Sequence, residues 1–230
     1  MRILIVQLSS LGDIVHALPV IHDLRRWWPG AQVDWVVEPA FAPLLGQVDG
    51  LHSVIECPLR RWRREWWRRS TRTEFRTFRS LLQRAHYDAV LDLQGLTKSA
   101  VIAWLANGRS HGPANRTEGS SFEAPARWLV DDAIPLRPRI HAIDRSREIA
   151  ARALGYWVSG PPCFGLRAAE LFEADAASQR PPRRGALVRH FRCCVDTVSD
   201  ELAPATRPRG VLEAVTASSS GLRRDALREK

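Results

Sequence analysis

MRILIVQLSSLGDIVHAL, residues 1–18, decides the fold. Arg2–Leu8 is a short, nearly continuous apolar run of the kind buried on both faces of a parallel sheet. Ser9, Ser10 and Gly12 then make a small-residue turn, and Asp13 opens an amphipathic helix running towards Trp27. A strand, a tight turn and a helix N-terminus in that order begin a nucleotide-binding α/β fold. Here the turn ends in a carboxylate instead of a third glycine. That points away from cradling a pyrophosphate and towards chemistry.

The alternation continues downstream. Gln32–Glu38 (QVDWVVE) and Ser53–Cys57 (SVIEC) read as strands, and an Arg-rich helical stretch runs from about Glu65 to Ala85. Tyr87–Leu93 (YDAVLDL) is a fourth strand with a helix behind it over Thr97–Ala106. His141–Leu154 places apolar residues at helical spacing, with Gly155 as its stop. Strands alternating with helices imply βαβ units, so the expected fold class is α/β: a Rossmann-like, doubly wound parallel sheet. From Arg167 the character changes. All nine tryptophans precede Gly160, and the remainder is rich in Ala, Arg, Pro and Ser without a sustained period. The expected organisation is a folded domain over 1–166 and a disordered or weakly helical, low-complexity tail over 167–230.

At 230 residues and 45% hydrophobic, the chain can bury the core of one large domain. Its longest apolar runs, such as Ile3–Val6 and Ala100–Ala106, fall short of the ~20 residues of a membrane span. The N-terminus lacks signal-peptide organisation, because a strand begins at once and Asp13 interrupts the apolar run. Cys57, Cys163, Cys193 and Cys194 have neither disulfide nor zinc spacing, and His190 beside the Cys193–Cys194 pair does not make a metal half-site. The expected setting is reducing and cytoplasmic, with no cofactor and no metal. The net charge of +9 is concentrated: Leu59–Arg79 holds nine arginines against Glu65 and Glu74, a local +7. Such a stretch attracts nucleic acid, an anionic membrane surface or a phosphorylated substrate. Only Lys98 and Lys230 are lysine, which singles out the internal one.

Three groups of residues can carry chemistry. Asp13 is either a carboxylate stabilised by free N–H groups at a helix start or a general base facing the crevice at a strand end. Arg60-Arg61-Trp62-Arg63-Arg64-Glu65-Trp66-Trp67-Arg68-Arg69 is either a solvated amphipathic helix or a binding surface. As a helix it leaves Trp62, Trp66 and Trp67 as a stripe needing burial. As a surface, interleaved Arg and Trp suit single-stranded nucleic acid over residues 59–79. They equally suit an anionic glycolipid at a membrane. Asp92-Leu93-Gln94-Gly95-Leu96-Thr97-Lys98 repeats the strand–turn–helix geometry, with Gln94 and Thr97 as caps or with Lys98 placing a cation beside the same crevice. Walker, GxGxxG, zinc-finger and Ser-His-Asp patterns do not occur.

RILIVQLSSLGDIVHALP, VDWVVE, RRWRREWW, YDAVLDLQGLTKSA and HAIDRSREIAARALGY, in that order across residues 1–166, closely resemble the lipopolysaccharide heptosyltransferase I family. These are ADP-heptose:LPS heptosyltransferases of glycosyltransferase family 9. The resemblance implies a GT-B glycosyltransferase whose N-terminal half holds the acceptor. It implies transfer of L-glycero-D-manno-heptose from ADP-heptose to Kdo of Kdo-lipid A, with inversion and without an essential metal, on the cytoplasmic face of the inner membrane. It gives Asp13 the role of the base that deprotonates the Kdo hydroxyl, with Ser10 beside it. It assigns Arg60, Arg61, Arg63 and Arg64 to a basic loop meeting the anionic acceptor, and Lys98 to the Kdo carboxylates. Arg145 and Arg147 fall in the matching helix without an assigned role. On this reading nucleic acid is not an expected partner.

The sequence also departs from the family. Asn115–Ala126 (NRTEGSSFEAPA) only loosely resembles the REPLA-containing segment, so the basic acceptor contact implied there is not expected. The donor domain's HxTxRDDKxWP-like segment and DTGxxH motif have no counterpart, since Val195-Asp196-Thr197 runs into Val198-Ser199-Asp200. The expectation is a tail produced by frameshift or truncation. The chain as written would then lack a donor site and be inactive by itself, with ADP-heptose bound only if a C-terminal domain is supplied.

Overall fold

A computed structural model describes residues 1–166. The expectations for the tail over 167–230, including His190 and Cys193–Cys194, lie outside the described residues.

Among the described residues, six strands form one sheet in the order β3-β2-β1-β4-β5-β6, with every pairing in it parallel. They are β1 (Arg2–Val6), β2 (Gln32–Val37), β3 (Ser53–Glu56), β4 (His86–Asp92), β5 (Asn107–Pro113) and β6 (Asp132–Ile134). The expected doubly wound sheet is present. Period-two alternation along β1 sends Ile3 and Ile5 to one face and Leu4 and Val6 to the other. All four are fully buried, each worth roughly 1.5–3 kcal/mol.

Two helical layers cover these faces. On the first, α1 (Leu11–Ala17), α2 (Pro19–Trp27) and α8 (Ala142–Leu154) pack Ile14, Leu24 and Ile149 over Ile3 and Ile5. On the second, α4 (Leu59–Arg64), α5 (Arg69–Arg84) and α6 (Thr97–Leu105) pack Trp62, Phe78, Leu82 and Ile102 over Leu4 and Val6. The short helices α3 (Ala42–Leu45) and α7 (Ala126–Leu129) lie in the connections that lead to β3 and β6. Among the described residues, no helix is long and apolar enough to cross a membrane.

The structure corrects several local readings. The single helix expected from Asp13 to Trp27 is two, because Pro19 has no N–H to give to Val15. The Leu18 N–H takes the Val15 carbonyl instead, at 3.2 Å. The helix expected over Glu65–Ala85 begins at Arg69, after α4 has turned back through Glu65–Arg68. That turn lets Trp62 bury edge-on against Phe75 and Phe78, with ring centroids 5.6 and 5.3 Å apart. Trp66 and Trp67 stay exposed, so the three tryptophans do not form one stripe. Strands β5 (NGRSHGP) and β6 (DAI) carry too few apolar residues for their sequence to announce them. Gly155 ends α8 as expected, in the left-handed conformation at φ 71°.

Among the described residues, one ionic cluster ties strands within the sheet and another ties two helices that cover it. Asp34 on β2 is fully buried and meets Arg2 Nη2 at 2.8 Å, His52 Nδ1 at 2.8 Å and the Tyr87 hydroxyl at 3.2 Å. Asp23 on α2 forms a two-point pair with Arg147 on α8, at 2.7 and 2.9 Å, with both side chains buried. Arg147 also donates to the carbonyls of Gly160 and Ser159, so its role is structural.

Candidate functional site

In the strand order 3-2-1-4-5-6 the chain leaves β1 and β4 in opposite directions. A crevice therefore opens between them at the carboxyl ends of the strands. The two turns flanking it, Gln7–Ser10 after β1 and Leu93–Leu96 after β4, are tied together by side chains. Gln94 donates from Nε2 to the Ser9 carbonyl at 2.6 Å and accepts the Leu8 N–H on Oε1 at 3.2 Å. Lys98 Nζ donates to Ser9 Oγ at 3.2 Å. Gln94 is thus a bridge between turns, and the expected capping by Gln94 does not occur. The first N–H of α6, on Thr97, is taken by Glu123 at 2.9 Å. That carboxylate comes from the 115–126 loop.

Asp13 is the third residue of α1, which begins two residues earlier than expected, at Leu11. Its Oδ2 accepts from the Ser10 N–H and the Ser10 hydroxyl, both at 3.0 Å. This fixes one carboxylate oxygen at the helix start. The Ser9–Ser10 peptide in the same turn is cis.

Asp92 ends β4 and is fully buried beneath the crevice, where its Oδ1 accepts the N–H groups of Gln94 at 3.0 Å and Gly95 at 3.1 Å. Gly95 sits at φ +72°, and a Cβ there would stand 2.5 Å from Pro113 Cγ, so both conformation and space call for glycine. Burial pushes the Asp92 carboxyl up to about 6, with the two N–H groups and Arg145 pulling the other way. Arg145 on α8 is buried, and its Nε has no hydrogen-bond partner among the described residues. Burial lowers its pKa, while the charges of Asp13 and Asp92 raise it. Arg145 therefore lies within electrostatic reach of both carboxylates. Sequence reading left Arg145 without a role and missed Asp92. The signal for Asp92 was in plain view: a second apolar strand ending, like the first, in a turn with a carboxylate.

Asp92 carries a pH prediction. Its folded-state pKa lies above its ordinary value of 3.8. The folded protein therefore binds that proton more tightly than the unfolded chain does. This contribution makes stability fall as pH rises from about 4 to about 6 and leaves it level above. Asp92→Asn keeps an oxygen for both N–H groups and should flatten that part of a urea-denaturation profile. A slope identical in both proteins would overturn the assignment.

The four arginines of α4 are all exposed and divide by their partners. Arg61 is committed to Glu74, which also accepts from Trp62 Nε1 at 3.1 Å. The backbone N–H of Arg60 is held by Glu38 at 3.1 Å, and the Arg60, Arg63 and Arg64 side chains are exposed on α4. Arg63 shares with Lys98 the lining of one cavity of about 410 Å³ between α4, α5 and α6. The structure thus brings together Asp13 with Ser10, and Arg63 with Lys98, and links the two sets through Ser9. Such a crevice offers a proton acceptor on one side and cations for an anionic ligand on the other.

Residues 75–191 match glycosyltransferase family 9 (heptosyltransferase). The chain is 40% identical over 157 residues to lipopolysaccharide heptosyltransferase 1 of Escherichia coli K12, covering 68% of this chain and 48% of that protein. It superposes on the E. coli heptosyltransferase WaaC with ADP at a TM-score of 0.66 and 36% identity, covering 72% of this chain and 51% of the other. The WaaC structure with ADP-2-deoxy-2-fluoro heptose gives 0.65 and 37%, covering 71% and 52%. The chain spans about half the length of the curated relatives it matches.

Proposed function

The chain belongs to glycosyltransferase family 9 (heptosyltransferase), and on that premise we propose that its described domain is the acceptor side of a heptosyl transfer to Kdo-lipid A. The observation that carries the proposal is the joining of two turns at the β1/β4 switch point. One turn presents Asp13 and the other presents Lys98, with Ser9 contacting Lys98 directly. Asp13 takes the proton of the attacking Kdo hydroxyl. The freed oxygen forms the new bond to the anomeric carbon of heptose, and the bond to the diphosphate breaks with its electron pair leaving on ADP. Lys98, Arg63 and the exposed arginines of α4 hold the carboxylates and phosphates of the acceptor. ADP-heptose is the proposed donor, in keeping with the ADP and ADP-2-deoxy-2-fluoro heptose of the solved relatives. Because its acceptor is a lipid, the domain works at the anionic cytoplasmic face of the inner membrane, where exposed Trp66 and Trp67 suit the interface.

Flotation with vesicles tests the acceptor reading. The full chain should bind Kdo-lipid A vesicles more tightly than vesicles of lipid A without Kdo. Lys98→Met should weaken the first at least about tenfold and the second by less, since both carry phosphates and only the first carries Kdo carboxylates. Equal binding to both vesicle types would overturn the reading. Salt-dependent capture of single-stranded DNA at the same affinity would move the Arg/Trp segment to the nucleic-acid alternative.

A further inference from the structure

The cavity shared by Arg63 and Lys98 has an apolar wall that the proposed transfer leaves without a role. At about 410 Å³ it falls within the ~300–1,000 Å³ of small-ligand pockets. The wall consists of Trp62 from α4, Phe75 and Phe78 from α5, and Val101, Ile102 and Leu105 from α6. An anionic headgroup finds partners in Arg63 and Lys98, whereas the two phenylalanines and three aliphatic side chains offer hydroxyl and phosphate oxygens no hydrogen-bond partner. Phe75 and Val101 remain 37% and 39% exposed, so this hydrocarbon stays in water until a ligand covers it. Glu123 also lines the cavity, but its carboxylate is engaged by the Thr97 N–H. Cations beside an apolar wall select an amphiphile over a soluble polyanion.

We infer that this cavity is an acyl-chain subsite, taking one hydrocarbon chain of an anionic lipid whose head is held by Arg63 and Lys98. The inference rests on the proposed acceptor reading only in naming the lipid. The subsite makes the protein sense the acylation of its acceptor as well as its sugar. It also gives α4 and α5 a reason to pack Trp62, Phe75 and Phe78 beside the arginines.

Calorimetry on the full chain tests this with two probe pairs. The first is dodecyl phosphate, below its micelle concentration, against inorganic phosphate. The second is Kdo-lipid A against its fully deacylated form. Burial of only two methylenes is worth about a tenfold gain in affinity. The chain-bearing member of each pair should therefore bind at least about tenfold more tightly. Val101→Trp fills the cavity, Val101→Gln makes its wall polar without adding a charge beside Lys98, and the exposure of Val101 lets either fold. Both should erase the difference and leave affinity for the chainless probes unchanged. Equal affinity for chain-bearing and chainless probes in the parent protein overturns the subsite, as does a difference that survives both substitutions. If dodecyl phosphate behaves as expected while neither sugar form binds, the subsite stands and the acceptor reading falls.

Discussion

Asp13→Asn lowers heptosyl transfer by about 10²- to 10⁴-fold, the range a positioned general base contributes. The measurement suits a chimera that joins residues 1–166 to the second half of the E. coli relative, with product formation followed at saturating donor. Asparagine is the informative replacement. It keeps an oxygen for the Ser10 N–H and hydroxyl, which Asp13 now accepts at 3.0 Å each, so the start of α1 stays capped. What disappears is the capacity to take a proton. Loss of kcat with acceptor affinity unchanged would identify a base. An unchanged kcat would return Asp13 to a purely structural role at the helix terminus. Ser10→Ala makes the useful contrast, since it removes one hydrogen bond to the carboxylate without removing the carboxylate and should cost far less.

Arg147→Met destabilises the domain by about 3–5 kcal/mol, read as a lower urea midpoint at constant slope. The pair it breaks is buried on both sides, with side-chain exposures of 3% and 5%, so Asp23 would be left as an unpaired charge inside the α2–α8 contact. The Arg147 side chain also secures the chain beyond α8 through two carbonyls, which deepens the loss. The double replacement Asp23→Leu with Arg147→Met removes both charges and should recover most of it, because a buried pair is costly to halve and cheap to replace whole. Arg137–Glu148 is the control. It spans 3.5 Å with Arg137 largely in water, and breaking it should cost no more than ~1 kcal/mol. A small effect at Arg147 would mean that α8 is held by its apolar face alone.

Much of this was legible in the sequence. The β1, β2 and β4 strands announce themselves because both faces are buried and most of the residues that fill them are β-branched or aliphatic, Asp34, Trp35, Tyr87 and Asp92 being the exceptions. Helix α8 announces itself by its spacing and by Gly155. Strands β5 and β6 do not, since their place is set by pairing with β4 and by anchors such as the Asp131 carboxylate on the Ser110 N–H at 2.8 Å. At the candidate site, Asp13 and Lys98 were visible because each follows a strand and a small-residue turn. Arg145 was not, because its importance lies in the distance between α8 and two other elements. The division of the arginines was equally hidden. Periodicity could place them on a helix, but only the return of α4 onto α5 shows that Arg61 is spent on Glu74 while Arg63 faces the cavity.

The Gln94 bridge has one more consequence. Its amide is used up on the β1 turn, and the neighbouring Lys98 reaches the same serine. The loops that carry Asp13 and Lys98 are therefore coupled, and opening either one breaks hydrogen bonds of the other. A fluctuation that displaces the β1 turn therefore disturbs the surroundings of Asp13 and Lys98 together. On the proposed acceptor reading, adaptation to a large lipid then falls to the α4–α5 corner, where Trp66 and Trp67 stand exposed.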